Sequence, residues 1–178
     1  MNNTIPPAVT AAAKKIKLLL LDVDGVLTDG RLYYGNSGEE MKAFNIQDGL
    51  GIKLLQKGGV QVGIITGRIS KLLQRRADEL GIDPLIQGRE DKLTALNELL
   101  QNMRIEMDEI AFMGDDLPDL AVMRRVGLGI TPANGSSTNA KQADWQTNNA
   151  GGRGAVREVA EMILDAQGKL QTILADYQ

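Results

Sequence analysis

From Ile16 onward the chain alternates short, unbroken apolar runs with longer segments of helical periodicity, and nearly every run ends in a turn holding Gly or Asp. The runs are 16–21, 60–65, 84–87, 110–113 and 127–130, with 143–147 as a weaker sixth. Runs that are apolar throughout, rather than at every second position, belong to strands covered on both faces. Their alternation with helices predicts an α/β fold, a doubly wound (Rossmann-like) parallel sheet flanked by helices. The helical segments carry Leu50, Leu54 and Leu55; Leu72, Leu73, Ala77 and Leu80; Leu93, Leu96, Leu99 and Leu100; Leu120, Val122 and Met123; and, over 155–167, Val156, Val159, Met162 and Ile163. Gly58, Gly59 and Gly81 fall where helices should stop.

One stretch breaks this rhythm. Residues 31–44 place β-formers before the turn cluster Gly35, Asn36, Ser37 and Gly38, which predicts a small β-hairpin insertion. Residues 1–14 read as a flexible N-terminal extension in which Pro6 and Pro7 discourage helix, residues 15–178 as a single domain, and about 168–178 as its tail. A chain of 178 residues is long enough for one sizeable core, which must be aliphatic because only six residues are Phe, Tyr or Trp.

The chain contains neither cysteine nor histidine. This excludes disulfides, thiolate nucleophiles, Ser-His-Asp triads and metal sites built on sulfur or imidazole. Proton transfer falls to Asp, Glu, Lys or Tyr, and a bound metal must be a hard, oxygen-liganded ion such as Mg²⁺. A net charge of -3 and few aromatics argue against a nucleic-acid partner, and no apolar run approaches a membrane span, so a cytoplasmic setting is expected.

In an open parallel sheet, ligands bind beyond the carboxyl ends of the strands. There the chain places Asp22, Asp24 and Thr28 after the first run; Thr66, Gly67 and Arg68 after the second; and Gly114, Asp115, Asp116 and Asp119 after the fourth. Of fourteen aspartates, five sit in two of these turns. Any one of them could be simple turn or helix-cap chemistry. Converging carboxylates, however, repel one another unless a cation lies between them, so the joint pattern predicts a Mg²⁺ site with a carboxylate nucleophile. Thr66, Gly67, Arg68 and Lys92 add hydroxyl, backbone and positive charge suited to phosphate oxygens.

Asp22-Val23-Asp24-Gly25-Val26-Leu27-Thr28, Thr66-Gly67-Arg68, Lys92 and Gly114-Asp115-Asp116-Leu117-Pro118-Asp119 resemble, in order and spacing, the four motifs of haloacid dehalogenase-type phosphatases. The resemblance implies Asp22 as nucleophile, Asp24 as acid/base, and Thr66 and Lys92 on the transferring phosphoryl group. It further implies Mg²⁺ held by the Asp22 carboxylate, the Asp24 carbonyl and Asp115, with Asp116 and Asp119 in support. The 43 residues between Asp22 and Thr66 and the 25 between Thr66 and Lys92 are too few for a cap domain, which resembles the capless branch.

The stretches 39–45, 48–53 and 151–158 are similar to the capless enzymes that act on phosphorylated sugar acids, a family of homotetramers. In that family the hairpin packs with its neighbours beside the active site and the C-terminal tail can reach an adjacent subunit. By position, the resemblance implies substrate contacts from Asp24, Asn45, Ile46, Gln47, Asp48, Gly49, Lys53, Gly67, Arg68, Arg76 and Lys92. Gln47 departs from the family pattern, where a basic residue is expected. The implied substrate is an eight-carbon sugar-acid 8-phosphate of lipopolysaccharide biosynthesis. The alternatives are a nine-carbon, sialic-type 9-phosphate or, from a different class, a receiver-type phosphoacceptor domain.

Overall fold

A computed structural model describes residues 5–36 and 40–177. The central strand β1 (Leu18–Leu21) consists of four leucines, which favour helix by intrinsic propensity. Its neighbours override that preference. It is paired in parallel with β4 (Gln61–Ile65) on one side and β6 (Ile110–Met113) on the other, and all four leucines are buried. With β5 (Leu85–Ile86), β7 (Leu128–Thr131) and β8 (Trp145–Gln146) the sheet has six parallel strands in the order β5-β4-β1-β6-β7-β8. These are the six predicted runs.

Side chains alternate across the sheet and build a core on each face. Leu19 and Leu21 join a large cluster with α1 (Pro7–Ala13), α2 (Ile46–Lys57), α3 (Lys71–Leu80) and α7 (Ala155–Ala166). Leu18 and Leu20 join a second cluster with Ala95 and Leu96 of α4 (Lys92–Leu100) and Val122 and Met123 of α5 (Leu120–Met123). Two short helices, α6 (Ser137–Gln142) and α8 (Leu170–Ala175), complete the fold. No cap domain intervenes between β1 and α4; the insertion is the predicted hairpin, with β2 (Tyr33–Tyr34) antiparallel to β3 (Glu40–Met41). The turn residues Ser37 and Gly38 lie outside the described residues.

The structure departs from the sequence reading at the N-terminus. The prolines do not discourage helix: Pro7 occupies the first turn of α1, where its missing N–H has no partner to lose, and Val9 and Ala13 enter the core. The tail is also helical. In α8, Ile173 is buried, Lys169 Nζ donates to the Gly58 carbonyl at 2.7 Å, and Lys57 pairs with Asp176, so the segment folds onto the base of its own sheet. No helix among the described residues is long and apolar enough to cross a membrane.

Candidate active site

Every predicted catalytic residue lies at the carboxyl edge of the sheet. Asp22 follows β1 directly, and its N–H donates to the Met113 carbonyl at 3.0 Å, extending the β1–β6 ladder by one residue. The loop beyond it is pinned by Thr28, whose Oγ1 accepts from Gly25 N at 3.4 Å and Gly30 N at 3.2 Å. Gly25 is required twice over. Its φ is +95°, and a Cβ there would fall 2.1 Å from Asp115 Oδ2, so any side chain would separate the two carboxylate loops. Gly151 backs the same loop, since a Cβ on it would meet the Gly25 carbonyl oxygen at 1.7 Å.

Lys92, the first residue of α4, bridges the two loops. Its ammonium lies 2.9 Å from Asp22 Oδ1 and 2.6 Å from Asp119 Oδ1, and its side chain is 3% exposed. The other oxygen of Asp119 accepts from the N–H groups of Asp115 at 3.0 Å and Asp116 at 3.2 Å. Asp119 is therefore a supporting group, buried and bonded on both oxygens. Asp116 is exposed, and its carboxylate caps the short turn at 117–119.

Asp22, Asp115 and Asp119 offer oxygens within 4.8 Å of one another. Burial pushes the Asp115 carboxyl up to about 7, reinforced by the charges of Asp22, Asp119 and Asp116. Burial likewise raises Asp22 to about 6, with Lys92 opposing and Asp119 adding to the rise. Burial alone would lower Lys92, but Asp22 and Asp119 hold it above its ordinary value. One ammonium thus leaves a cluster of hard oxygen donors short of positive charge, which fits Mg²⁺ and excludes a soft ion.

Thr66 is buried at the end of β4, tied by its N–H to Ile86 O at 2.9 Å and by its carbonyl to Arg89 N at 3.0 Å. Gly67 and Arg68 follow at the mouth. The expected substrate contacts divide. Ile46 and Gln47 are exposed on the first turn of α2, and Gln47 Oε1 faces the Gly154 loop. Gly49 and Arg76 are in contact beside Asn45 and Phe44, around a small hollow on the flank of the site.

Three of the expected contacts have other tasks. Asn45 caps α2, accepting from Gln47 N at 2.7 Å, and donates to the Gly152 carbonyl at 3.3 Å. Asp48 is 1% exposed and accepts from Arg157 N at 2.9 Å and Gly154 N at 3.2 Å, so it caps α7 rather than facing a sugar. Lys53 lies too far down α2: its ammonium approaches Gly81, the left-handed residue that ends α3 at the far side from Ser70, that helix's N-cap. Position along a motif could not reveal these placements, because each depends on which face of α2 turns inward.

Two cations went unassigned in the sequence reading. Lys42, just after β3, lies 2.5 Å from Asp24 Oδ1, and Arg153 joins Asp29, Phe44, Asn45 and Gly152 around an adjoining cleft. The alternation Met41-Lys42-Ala43 would turn the lysine to solvent, so the sequence held no local signal for its inward placement.

A parallel sheet whose central strand ends in an aspartate that a buried lysine bridges to a second aspartate, in the loop after the neighbouring strand, is the arrangement of a haloacid dehalogenase-like hydrolase. That family matches residues 85–159. The chain is 49% identical over 166 residues to the 3-deoxy-D-manno-octulosonate 8-phosphate phosphatase KdsC of Salmonella typhimurium, covering 93% of this chain and 88% of that one. A solved 3-deoxy-D-manno-octulosonate 8-phosphate phosphatase from Moraxella catarrhalis, in complex with magnesium, phosphate and KDO, superposes with a TM-score of 0.93 at 48% identity, over 96% of this chain and 98% of that one. A probable YrbI family phosphatase from Pseudomonas syringae pv. phaseolica gives 0.95 at 49% identity, over 97% and 98% of the two chains. The chain belongs to the 3-deoxy-D-manno-octulosonate 8-phosphate phosphatase family.

Proposed function

We propose that the chain is a Mg²⁺-dependent phosphatase that hydrolyses 3-deoxy-D-manno-octulosonate 8-phosphate to the free sugar acid and inorganic phosphate, in lipopolysaccharide biosynthesis. The observation that carries this reading is the Lys92 ammonium held between Asp22 and Asp119 at the strand ends, beside Asp24 and Asp115. An Asp22 carboxylate oxygen attacks phosphorus and forms an aspartyl-phosphate. As the ester P–O bond breaks, Asp24 gives its proton to the departing sugar oxygen. Asp24 then takes a proton from water, whose oxygen attacks the same phosphorus and releases Asp22. Lys92 and Thr66 hold the phosphoryl oxygens, and Lys92 also fixes Asp22 by Oδ1.

Mg²⁺ would be held by the Asp22 and Asp115 carboxylates and the Asp24 carbonyl, and when bound it supplies the positive charge that lets an anionic nucleophile approach an anionic phosphate. Asp24 speaks against a receiver-type domain, since an internal acid/base shortens the life of the phosphorylated state. Arg68 beside Asp24 and Arg153 in the adjoining cleft suit the substrate's carboxylate.

Homotetramer assembly goes with this reading, supported by Leu32, Tyr33, Tyr34 and Met41, all exposed on or beside the hairpin. So does a cytoplasmic setting, because a charged sugar phosphate does not cross a bilayer unaided. Comparison of kcat/KM on the eight-carbon 8-phosphate and a nine-carbon sugar-acid 9-phosphate, with and without Mg²⁺, tests the assignment. A preference for the eight-carbon ester, dependent on metal, is expected; equal or better turnover of the nine-carbon ester overturns it.

A further inference from the structure

Asp24 faces a cation on each carboxylate oxygen, hydrogen-bonded to one and only in ion-pair range of the other. Lys42 Nζ lies 2.5 Å from Oδ1, and Arg68 Nε lies 3.5 Å from Oδ2. The two cations have different settings: the Lys42 side chain is 2% exposed and that of Arg68 41% exposed. Arg68 also reaches Tyr34 of the hairpin, its Nη2 donating to the phenol oxygen at 3.2 Å. Lys42 turns inward because it continues the extended segment of β3, with Met41 and Ala43 facing out on either side.

A hairpin of two residue pairs has little stability of its own, and lysine is among the costliest side chains to bury unless paired. If this lysine served only to pin the hairpin, any acidic group on the neighbouring surface would do. The group it holds is instead the aspartate two residues beyond the nucleophile.

We propose that Lys42 is a positioning residue for the acid/base, holding Asp24 by Oδ1 so that Oδ2 is the oxygen presented to the leaving group. The proposal rests on the reading of Asp24 as acid/base. The exposed Arg68 is the exchangeable partner: an incoming anionic substrate draws its guanidinium off Oδ2, which then takes up a proton from solvent and holds it for the leaving oxygen. In the transfer the Asp24 O–H bond breaks, its proton is taken up by the electron pair released as the ester P–O bond cleaves, and Asp24 is left ionised with Oδ1 still on Lys42. The hairpin therefore shares in the chemistry as well as lining the mouth.

The test compares Lys42→Met with wild type on two substrates: the sugar-acid phosphate, whose alkoxide needs a proton to leave, and p-nitrophenyl phosphate, whose phenolate does not. The variant is expected to lose roughly 10- to 100-fold in kcat/KM on the sugar phosphate, part of what a positioned acid contributes. On p-nitrophenyl phosphate the loss in kcat/KM, which is set by departure of the leaving group and not by the later hydrolysis of the aspartyl-phosphate that both substrates share, should stay below about threefold, and Lys42→Arg should recover most of the sugar-phosphate value. Equal losses in kcat/KM on both substrates would overturn the proposal and leave Lys42 a structural tie, as would unchanged kcat/KM on the sugar phosphate. Lys42→Gln gives the same contrast should the methionine variant not fold. A wild-type enzyme that turns over some other alkyl phosphate instead would overturn the substrate reading, and the Lys42 contrast is then read on that ester.

Discussion

Lys92 between Asp22 and Asp119 shows how single residues set the chemistry of this site. One buried ammonium compensates part of a carboxylate cluster and leaves Asp115, at about 7, and Asp22, at about 6, above their ordinary value of 3.8. Between about pH 4 and about pH 7 the folded, metal-free chain therefore binds protons that the unfolded chain does not. The stabilising contribution of these two groups is present at low pH and is lost as pH rises through their folded values. A cation competes with those protons and needs the ionised forms. Mg²⁺ should thus raise the unfolding temperature more at about pH 8 than at about pH 5, as scanning fluorimetry at saturating metal would show. An equal shift at both pH values would mean that the ion binds elsewhere. The residue types were legible in the sequence, since the absence of His and Cys removed imidazole and thiolate and the strand-end turns are rich in aspartate. The division among them was less so: that Asp119 spends both oxygens on Lys92 and backbone N–H groups is visible only in three dimensions.

At the scale of elements, the site depends on loops locked to one another by caps and close approaches. Asp48 reaches from α2 to the N–H groups of Gly154 and Arg157, more than a hundred residues away, and fixes both the start of α7 and the glycine loop that backs Gly25. Asp48→Ala should cost about 1–3 kcal/mol in denaturant unfolding, through the lost cap and buried N–H groups left unpaired. KM for the sugar phosphate should stay within about twofold. A raised KM with unchanged stability would instead restore Asp48 as a substrate contact. The six strands, the four longer helices and the short α5 were readable because continuous apolar runs and 3.6-residue spacing are local signals. The cap by Asp48, the downward placement of Lys53 and the inward turn of Lys42 were not, because each is fixed by a partner distant in sequence. The helix at Pro7–Ala13 was misread for a local reason: proline at the first helical turn starts a helix as readily as proline elsewhere stops one.

For the molecule as a whole, the two edges of the sheet have separate duties. The base is closed by α8 and by the turn after α1, where the Gln167 amide donates to Ile16 O at 2.8 Å. The carboxyl edge carries the proposed catalytic groups, and among the described residues the mouth is bounded by the hairpin, the first turn of α2 and the glycine loop. On the proposed function, this edge transfers the phosphoryl group to Asp22. Phosphate release from 3-deoxy-D-manno-octulosonate 8-phosphate by wild type and by Asp22→Asn, with Mg²⁺ and with unfolding measured in parallel, tests it most directly. Wild type should release phosphate rapidly, and Asp22→Asn, remaining folded, should release none above background. Near-wild-type turnover by Asp22→Asn would contradict that transfer.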